Sequence, residues 1–319
     1  LQIHSETTVE EIKDIVFNNK KNNKNNSNSP TDKNRKYRYV FFDEANTSPH
    51  IQKIEQLVIS RRLDGRDVPE DMSFIVAVNP YRELSKNELS LYDDFKNPRY
   101  RDRVLAYTVR PLPLSLQSLA FNFGDLSNAT YTEYAKCVLA NIPRLGVSNG
   151  INELKFAVDV IRVTKEYMDS KEFIISLREL DRYKTLIEYF RERKELLKLG
   201  HLDVIKNREI SETCVICLLS AYIVFGLRFP TTVRNEYNEY IDQNMKLNGN
   251  CKMIKIFSAI RDRILKKVKC PEKIAMNESL KENLFSMMIA VLTKIPLVII
   301  GKPGTSKSLG MTILERLAD

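Results

Sequence analysis

An apolar run followed by a glycine-containing loop constrains the fold of this chain more than any other feature. Residues 297–300 are large and aliphatic, and residues 301–308 read Gly-Lys-Pro-Gly-Thr-Ser-Lys-Ser directly after them. Apolar periodicity resumes from residue 308 to about residue 317. The pattern predicts a buried strand, a loop and a helix, in that order. These are the three parts from which a phosphate-binding loop is built.

The chemistry of the loop agrees with phosphate binding. Backbone N–H groups and a helix N-terminus cradle phosphate, Lys307 would place a positive charge on its β and γ oxygens, and Ser308 would offer a hydroxyl to Mg²⁺. Ser306 replaces the usual second glycine, and Gly304 can supply the required backbone freedom. A purely structural turn is the alternative. The predicted ATP-binding residues here are Gly301, Lys302, Pro303, Gly304, Thr305, Ser306, Lys307, Ser308 and Leu309.

An acidic pair follows another apolar run near the start of the chain. Residues 39–42 read Tyr-Val-Phe-Phe, which predicts a strand buried on both faces, and Asp43 and Glu44 come next. Carboxylates at the end of such a strand form the second half of a nucleotide site. Asp43 would be a Mg²⁺ ligand, and Glu44 would polarise the attacking water as a catalytic residue. A surface acidic pair is the alternative.

Asn79 strengthens this interpretation. Residues 74–78 predict a further buried strand, and Asn79 follows directly. An amide at the tip of a neighbouring strand can orient the attacking water and contact the γ-phosphate, so we predict a catalytic role for Asn79 as well. The alternative, an Asn-Pro turn, explains Pro80 but not the pairing with Asp43 and Glu44.

Several arginines could complete a nucleotide site. An arginine finger, which stabilises transition-state charge across a module boundary, could be Arg99, Arg101 or Arg103, before a third predicted strand at residues 104–109. Arg178 opens a predicted helix and could fold back onto nucleotide, with Arg182 one turn later as a weaker candidate. Solvated surface charge is the alternative for all of them.

The net charge of +9 gives little support for a nucleic-acid partner. Residues 18–38 hold seven basic residues and one acid, and so supply +6 of the total. This Asn/Lys-rich segment lacks the apolar residues needed to offset its ordering entropy, which predicts a disordered insertion. An RNA- or lipid-contacting arm is the alternative. No apolar run reaches the ~20 residues of a membrane span.

Cysteine usage fits a reducing compartment, and we expect a cytoplasmic protein. The five cysteines are Cys137, Cys214, Cys217, Cys251 and Cys270. Cys214 and Cys217 form a CxxC within an apolar helical pattern, which favours core packing over redox or metal chemistry. With three histidines in the chain, a zinc cluster is not expected.

The order of the motifs predicts parts of two modules. Residues 1–113 read as the C-terminal part of an α/β core with the 18–38 insertion, 114–200 as a helical lid, 201–275 as a helical linker, and 276–319 as the start of a second module. In one module the phosphate loop precedes the acidic pair, whereas here it follows by more than 250 residues. Asp43 and Lys307 should therefore serve different modules. Together with Leu1 at the start, this predicts a segment of a longer protein.

These motifs resemble those of AAA+ ATPases, and their order is similar to that in the mysterin family of giant AAA+ RING-type ubiquitin ligases. The residues that carry the resemblance lie in seven segments, which are residues 1–8, 40–48, 78–82, 110–113, 123–126, 274–278 and 301–309. Ser5 and Glu6 depart from the glycines of the family pattern. The Asn/Lys insertion is also foreign to it.

The resemblance implies a P-loop AAA+ fold with a three-layer α/β core, a large all-α lid and linker, and a helix-dominated chain. It also implies ATP and Mg²⁺ as cofactors, ATP hydrolysis coupled to conformational change, neighbouring AAA+ modules as partners, and ubiquitin-conjugating machinery reached through the parent protein. Nothing in the sequence matches a RING region. The alternatives are a segment of a motor related to midasin and dynein, and a structural core that binds ATP without hydrolysing it.

Overall fold

The computed structural model describes residues 2–3, 7–18, 38–84, 109–124, 126–143, 145–148, 150–197, 199–207, 209–266, 268, 275–300, 304 and 307–318. The described residues fall into two compact units, the first within 1–84 and 97–124 and the second within 125–319. Residues 19–37 of the predicted 18–38 insertion lie outside the described residues. So does the predicted third strand, apart from Val109.

A small parallel sheet organises the first unit. Its strands are β1 (Gln2–Ile3), β2 (Arg38–Phe42) and β5 (Met72–Val76), with β2 in the middle. The register pairs Gln2 with Phe41 on one side of β2, and Val40 with Phe74 on the other. The strands predicted from residues 39–42 and 74–78 are therefore present and adjacent, with boundaries shifted by one or two residues.

The expectation that β2 is buried on both faces is wrong among the described residues. Val40 and Phe42 are fully buried, but Tyr39 is 59% exposed, and Ile75 on the neighbouring strand is 54% exposed. Successive side chains of a strand point to opposite faces, so one face of the sheet is covered and the other is open. Because residues 39–42 are all apolar or aromatic, the sequence does not show this alternation.

Short helices cover the buried face of the sheet. Helix α1 (Val9–Lys13) continues as a π-helical turn, Asp14–Asn18, and α2 (Ile51–Glu55) continues in the same way as Gln56–Ser60. Thr8 caps α1 and forms a capping box with Glu11. Their buried residues Ile12, Val16, Ile54 and Leu57 pack with the sheet in one core cluster.

A tight hairpin and a one-turn helix complete the described first unit. Strands β3 (Arg62–Leu63) and β4 (Arg66–Asp67) pair antiparallel around a two-residue turn. Asp64 and Gly65 both have positive φ, of 49° and 81°, as a primed hairpin turn requires. Helix α3 (Leu114–Gln117) is anchored where the Ser115 hydroxyl contacts the Glu55 carboxylate.

The second unit is built almost wholly of helices, as the periodicity predicts. They are α4 (Asn128–Ala140), α5 (Glu153–Ser170), α6 (Leu177–Glu192), α7 (Lys194–Leu197), α8 (Asp203–Lys206), α9 (Glu212–Val224), α10 (Thr231–Asn244), α11 (Met253–Leu265), α12 (Glu278–Thr293) and α13 (Lys307–Ala318). A hairpin of β6 (Val147–Ser148) and β7 (Ile151–Asn152), not expected from the sequence, precedes α5.

One apolar core runs through all the long helices of this unit, from Tyr131 on α4 to Ile313 on α13. Aromatic rings join its layers. Phe257 stacks on Tyr222 with centroids 4.1 Å apart and meets Phe285 edge-on at 5.4 Å. The division into a lid (114–200) and a linker (201–275) stays a prediction, because helices from both ranges share this core.

The buried strand predicted at residues 297–300 is not formed. Residues 295–300 belong to no helix or strand, and Leu297, Val298 and Ile300 are exposed, Val298 by 81%. A strand needs a neighbour for its backbone hydrogen bonds, and within the described ranges none pairs with this run. No helix among the described residues is long and apolar enough to cross a membrane.

Candidate nucleotide-binding sites

The acidic pair lies at the carboxyl end of the central strand. Asp43, which directly follows β2, is half-buried, and Glu44 is exposed. Glu44 has a φ of 50°, in the left-handed region, and its carbonyl accepts a 2.7 Å hydrogen bond from the Thr47 hydroxyl. Left-handed backbone is uncommon for a residue other than glycine, and such conformations cluster at functional sites.

Hydrogen bonds continue between the two strands beyond their last residues. The Ala77 N–H donates to the Phe42 carbonyl at 2.8 Å, and the Ala45 N–H donates to the Ala77 carbonyl at 2.9 Å. The segment after β2 and the segment after β5 are therefore held side by side. The acidic pair and Asn79 thus follow neighbouring strands at the same edge of the sheet.

Asn46 closes this junction with its side chain. Its Nδ2 donates to the Asn79 carbonyl at 2.8 Å, and its Oδ1 accepts from the Asn79 N–H at 3.0 Å. The side chain of Asn46 is buried, with 4% of the residue exposed. The sequence pattern assigns no role to this residue, because its partner lies 33 residues later and no local pattern indicates the contact.

At the other end of the chain, part of the predicted phosphate loop is described. Residues 301–303, 305 and 306 lie outside the described residues. Gly304 has a φ of +83° and open space where a Cβ would stand, so it supplies the backbone freedom expected of it. Lys307 and Ser308 begin the 12-residue helix α13, and no acidic side chain lies in the first turn. A helix N-terminus without carboxylates suits an anion.

Helix α13 packs tightly on α12. Ile313 is 1% exposed, and Leu309 packs against the same core. A Cβ built on Gly310 would lie 3.1 Å from the Met287 side chain, so glycine at this position permits the close approach of the two helices. Three of the proposed phosphate-binding residues, Lys307, Ser308 and Leu309, therefore lie on a helix that packs into the core of the second unit.

Arg178 and Arg182 are exposed on α6, which Ser176 and Glu179 cap as a capping box. The possible fingers Arg99, Arg101 and Arg103 lie outside the described residues. Their roles stay predictions.

The CxxC motif packs in the core. Cys214 and Cys217 on α9 are both fully buried. Burial raises the pKa of the Cys214 thiol to about 11 and raises that of Cys217 further. A raised pKa suppresses the reactive thiolate, which favours the packing interpretation. Among the described residues, no group of three or more His, Cys, Asp or Glu side chains could hold a metal ion.

Part of the chain matches a known protein family. Residues 273–319, which include α12, the phosphate-loop segment and α13, match the family described as the RNF213 AAA domain. The helix-rich chain with a small parallel sheet is compatible with an AAA-type domain.

Individual relatives extend the likeness over most of the chain. It is 29% identical to E3 ubiquitin-protein ligase RNF213 of Mus musculus and 27% identical to that of Homo sapiens, over 86% and 98% of its length. It is 25% identical over 86% of its length to E3 ubiquitin-protein ligase rnf213-beta of Danio rerio. The resemblance to the mysterin (RNF213) family is confirmed. The chain spans about 6% of the length of each of these relatives.

Proposed function

We propose that this chain is a segment of a multi-module AAA+ ATPase that couples ATP binding and hydrolysis to movement between modules. In this proposal Asp43, Glu44 and Asn79 serve one nucleotide site, and residues 301–309 serve the next. The match to an AAA domain family supports nucleotide binding in general. The assignment of particular residues is our own.

The observation that carries the proposal is the hydrogen-bonded junction between the ends of β2 and β5. A site that hydrolyses ATP needs an acidic pair for the metal and the water, and a polar group beside them that contacts the γ-phosphate. The bonds from Ala77 to Phe42 and between Asn46 and Asn79 hold these two segments together.

The residues present fit Mg²⁺ and ATP. Asp43 would hold the metal at the first site and Ser308 at the second, and both offer the oxygen ligands that Mg²⁺ prefers. Bound Mg²⁺ would neutralise charge on the β and γ oxygens. Glu44 would accept the proton of the attacking water, Asn79 would orient that water, and Lys307 would pair with phosphate oxygens. Arg178, on α6, would contact bound nucleotide.

Each site in this proposal is completed by residues outside the chain. We therefore expect the purified 319-residue chain to bind ATP through residues 301–309 without turning it over. Binding is measured by calorimetry with ATP and Mg²⁺. Lys307→Ala should weaken it at least tenfold, a loss of about 1.4 kcal/mol, whereas Arg316→Ala, at the other end of the same helix, should leave the affinity unchanged. Equal affinities in the two variants would refute the phosphate loop.

Turnover tests the first site. In a longer protein that includes this chain and the phosphate loop preceding it, Glu44→Gln should abolish hydrolysis and preserve ATP binding, because the amide cannot accept the proton. Unchanged turnover in Glu44→Gln would favour the non-hydrolysing structural core. ATP turnover by the 319-residue chain alone, abolished by Glu44→Gln, would instead show that both motifs close one site.

The names of the relatives extend the proposal to the parent protein. RNF213 is named an E3 ubiquitin ligase, so we propose that the parent of this chain is a ubiquitin ligase that acts in the cytoplasm with ubiquitin-conjugating partners. The chain itself would supply the ATP-driven part.

A further inference from the structure

Asn46 stands where three segments of the first unit meet. It lies in a 3₁₀ helix of one turn, Ala45–Thr47, which follows the acidic pair, and it is buried. Its side chain contacts the backbone of Asn79, 33 residues later, and its own carbonyl accepts a 2.7 Å hydrogen bond from the Arg110 N–H. One residue therefore joins the ends of two strands and the segment at residue 110.

The contact with Asn79 is reciprocal. Each residue other than proline offers one backbone donor and one backbone acceptor, and the Asn46 amide meets both of those of Asn79, at 3.0 Å and 2.8 Å. It imitates a neighbouring strand at the point where the backbone of residues 45–47 forms a 3₁₀ turn and is no longer extended. The ladder between the strands thus extends by one further residue, to the residue whose side chain has the proposed catalytic role.

Asparagine can satisfy both backbone groups of Asn79 at once. Asp could accept from the Asn79 N–H but, as a carboxylate, could not donate to the carbonyl. Ala would leave both backbone groups of Asn79 without this partner at a half-buried junction. Glutamine carries the same amide one methylene further from the backbone.

We propose that Asn46 is a positioning residue, which fixes the backbone of Asn79 so that the Asn79 side chain faces the γ-phosphate and the attacking water. This inference rests on the proposed function of Asn79. Asn46 acts through the peptide of another residue and does not touch the reacting atoms. Removing it should slow hydrolysis while leaving ATP binding nearly intact.

Amide hydrogen exchange in the 319-residue chain tests the contact itself. In Asn46→Ala the Asn79 amide should exchange about tenfold faster, which corresponds to the loss of roughly one hydrogen bond. The Ala77 amide, bonded to the Phe42 carbonyl, reports whether the sheet is intact and should keep its protection. Thr47→Val removes a neighbouring hydrogen bond, to Glu44, and should leave Asn79 unchanged. An unaltered Asn79 rate in Asn46→Ala would overturn the proposal.

A near-isosteric variant is needed if Asn46→Ala also speeds the exchange of the Ala77 amide. Asn46→Asp is close in shape and keeps the acceptor, so the Asn79 N–H should retain most of its protection. The inference would also be contradicted if the Asn79 amide of this variant exchanged as fast as an unstructured amide while the Ala77 amide stayed protected.

Kinetics in the longer protein then separate positioning from structure. Asn46→Ala and Asn46→Asp should lower kcat about tenfold with the KM for ATP changed less than about twofold. If Glu44→Gln abolishes turnover but the Asn46 variants keep full kcat, Asn46 does not position Asn79. If Glu44→Gln itself has no effect, the proposed function fails, and the exchange result still decides whether the contact exists.

Discussion

The guanidinium of Arg261 lies 2.6 Å from the Glu278 carboxylate and so ties α11 to the first turn of α12. Asp262 at 2.8 Å and Glu282 at 4.0 Å complete its acidic surroundings. The Arg261 side chain is 3% exposed, whereas that of Glu278 is 68% exposed. The cation is therefore taken out of water, while its nearest partner, Glu278, is largely left in it. This ion cluster spans the stretch where the predicted linker meets the predicted second module.

Replacing Arg261 should loosen the attachment of α12. Arg261→Met keeps an unbranched apolar stem but removes the charge, and we expect the free energy of unfolding to fall by about 1–3 kcal/mol, since buried pairs matter more than surface pairs. Lys255→Met on the exposed side of the same helix should change it by less than about 0.5 kcal/mol. Urea denaturation measures both, and equal values would contradict the role given to Arg261.

The start of α12 depends on a side-chain cap. Asn277 Oδ1 accepts a 2.8 Å hydrogen bond from the Leu280 N–H. Asn277→Ala should cost about 1 kcal/mol of stability, whereas Asn277→Ser, which can still cap, should cost only a few tenths. Thermal unfolding followed by circular dichroism distinguishes the two. A Ser variant as unstable as the Ala variant would show that the cap is unimportant.

Acid should weaken the hairpin turn through Asp64. Hydrogen bonds from Lys13 and Lys53, at 2.8 Å and 2.5 Å, lower the pKa of this carboxyl from 3.8 to about 2. A carboxyl whose pKa is lowered in the folded state stabilises that state above the unfolded pKa, and this contribution is lost as the pH falls through the folded pKa. The loss should occur between about pH 4 and pH 2.

Asp64→Asn isolates this effect, because Asn tolerates the same positive φ. Wild type should be more stable than the variant at pH 6, and the difference should vanish near pH 2. Stability is measured by denaturant titration at each pH. A difference that persists at pH 2 would mean that the lysine contacts do not cause it.

The positive φ of Gly304 gives a prediction for the phosphate loop. Gly304→Ala meets no steric obstacle but must adopt left-handed backbone, which costs about 1–2 kcal/mol. ATP affinity should fall about 5- to 30-fold if binding requires this conformation. Gly304→Asn should lose less, because Asn visits this region more readily. Calorimetry gives the affinities, and an Ala variant that binds like wild type would refute the requirement.

Local signals in the sequence located most of the secondary structure. Apolar periodicity predicted helices through most of the second unit, and Thr8 and Ser176 cap helices that carry Glu11 and Glu179 three positions later. These features depend on neighbours within one or two turns. A single sequence contains them in full.

Features that depend on distant partners were missed or wrongly predicted. The run at 297–300 has the composition of a buried strand, but strand formation needs a neighbour that the run itself does not specify. Tyr39 lies in an equally apolar run, yet its face of the sheet is open. Asn46 reaches across 33 residues to Asn79, and no local pattern announces such a contact. The roles of Asp43, Glu44, Asn79 and residues 301–309 stay predictions.

The shared core of the second unit bears on where the polypeptide can be divided. The family match begins at residue 273, yet α12 buries Leu280, Leu284 and Phe285 among side chains of the preceding helices. A truncation at that border would strip Phe257 of its edge-on partner Phe285 and leave apolar surface on both fragments. The region that matches the family and the region that can be excised intact therefore differ. Domain swaps between relatives should carry the helices from residue 125 onward together.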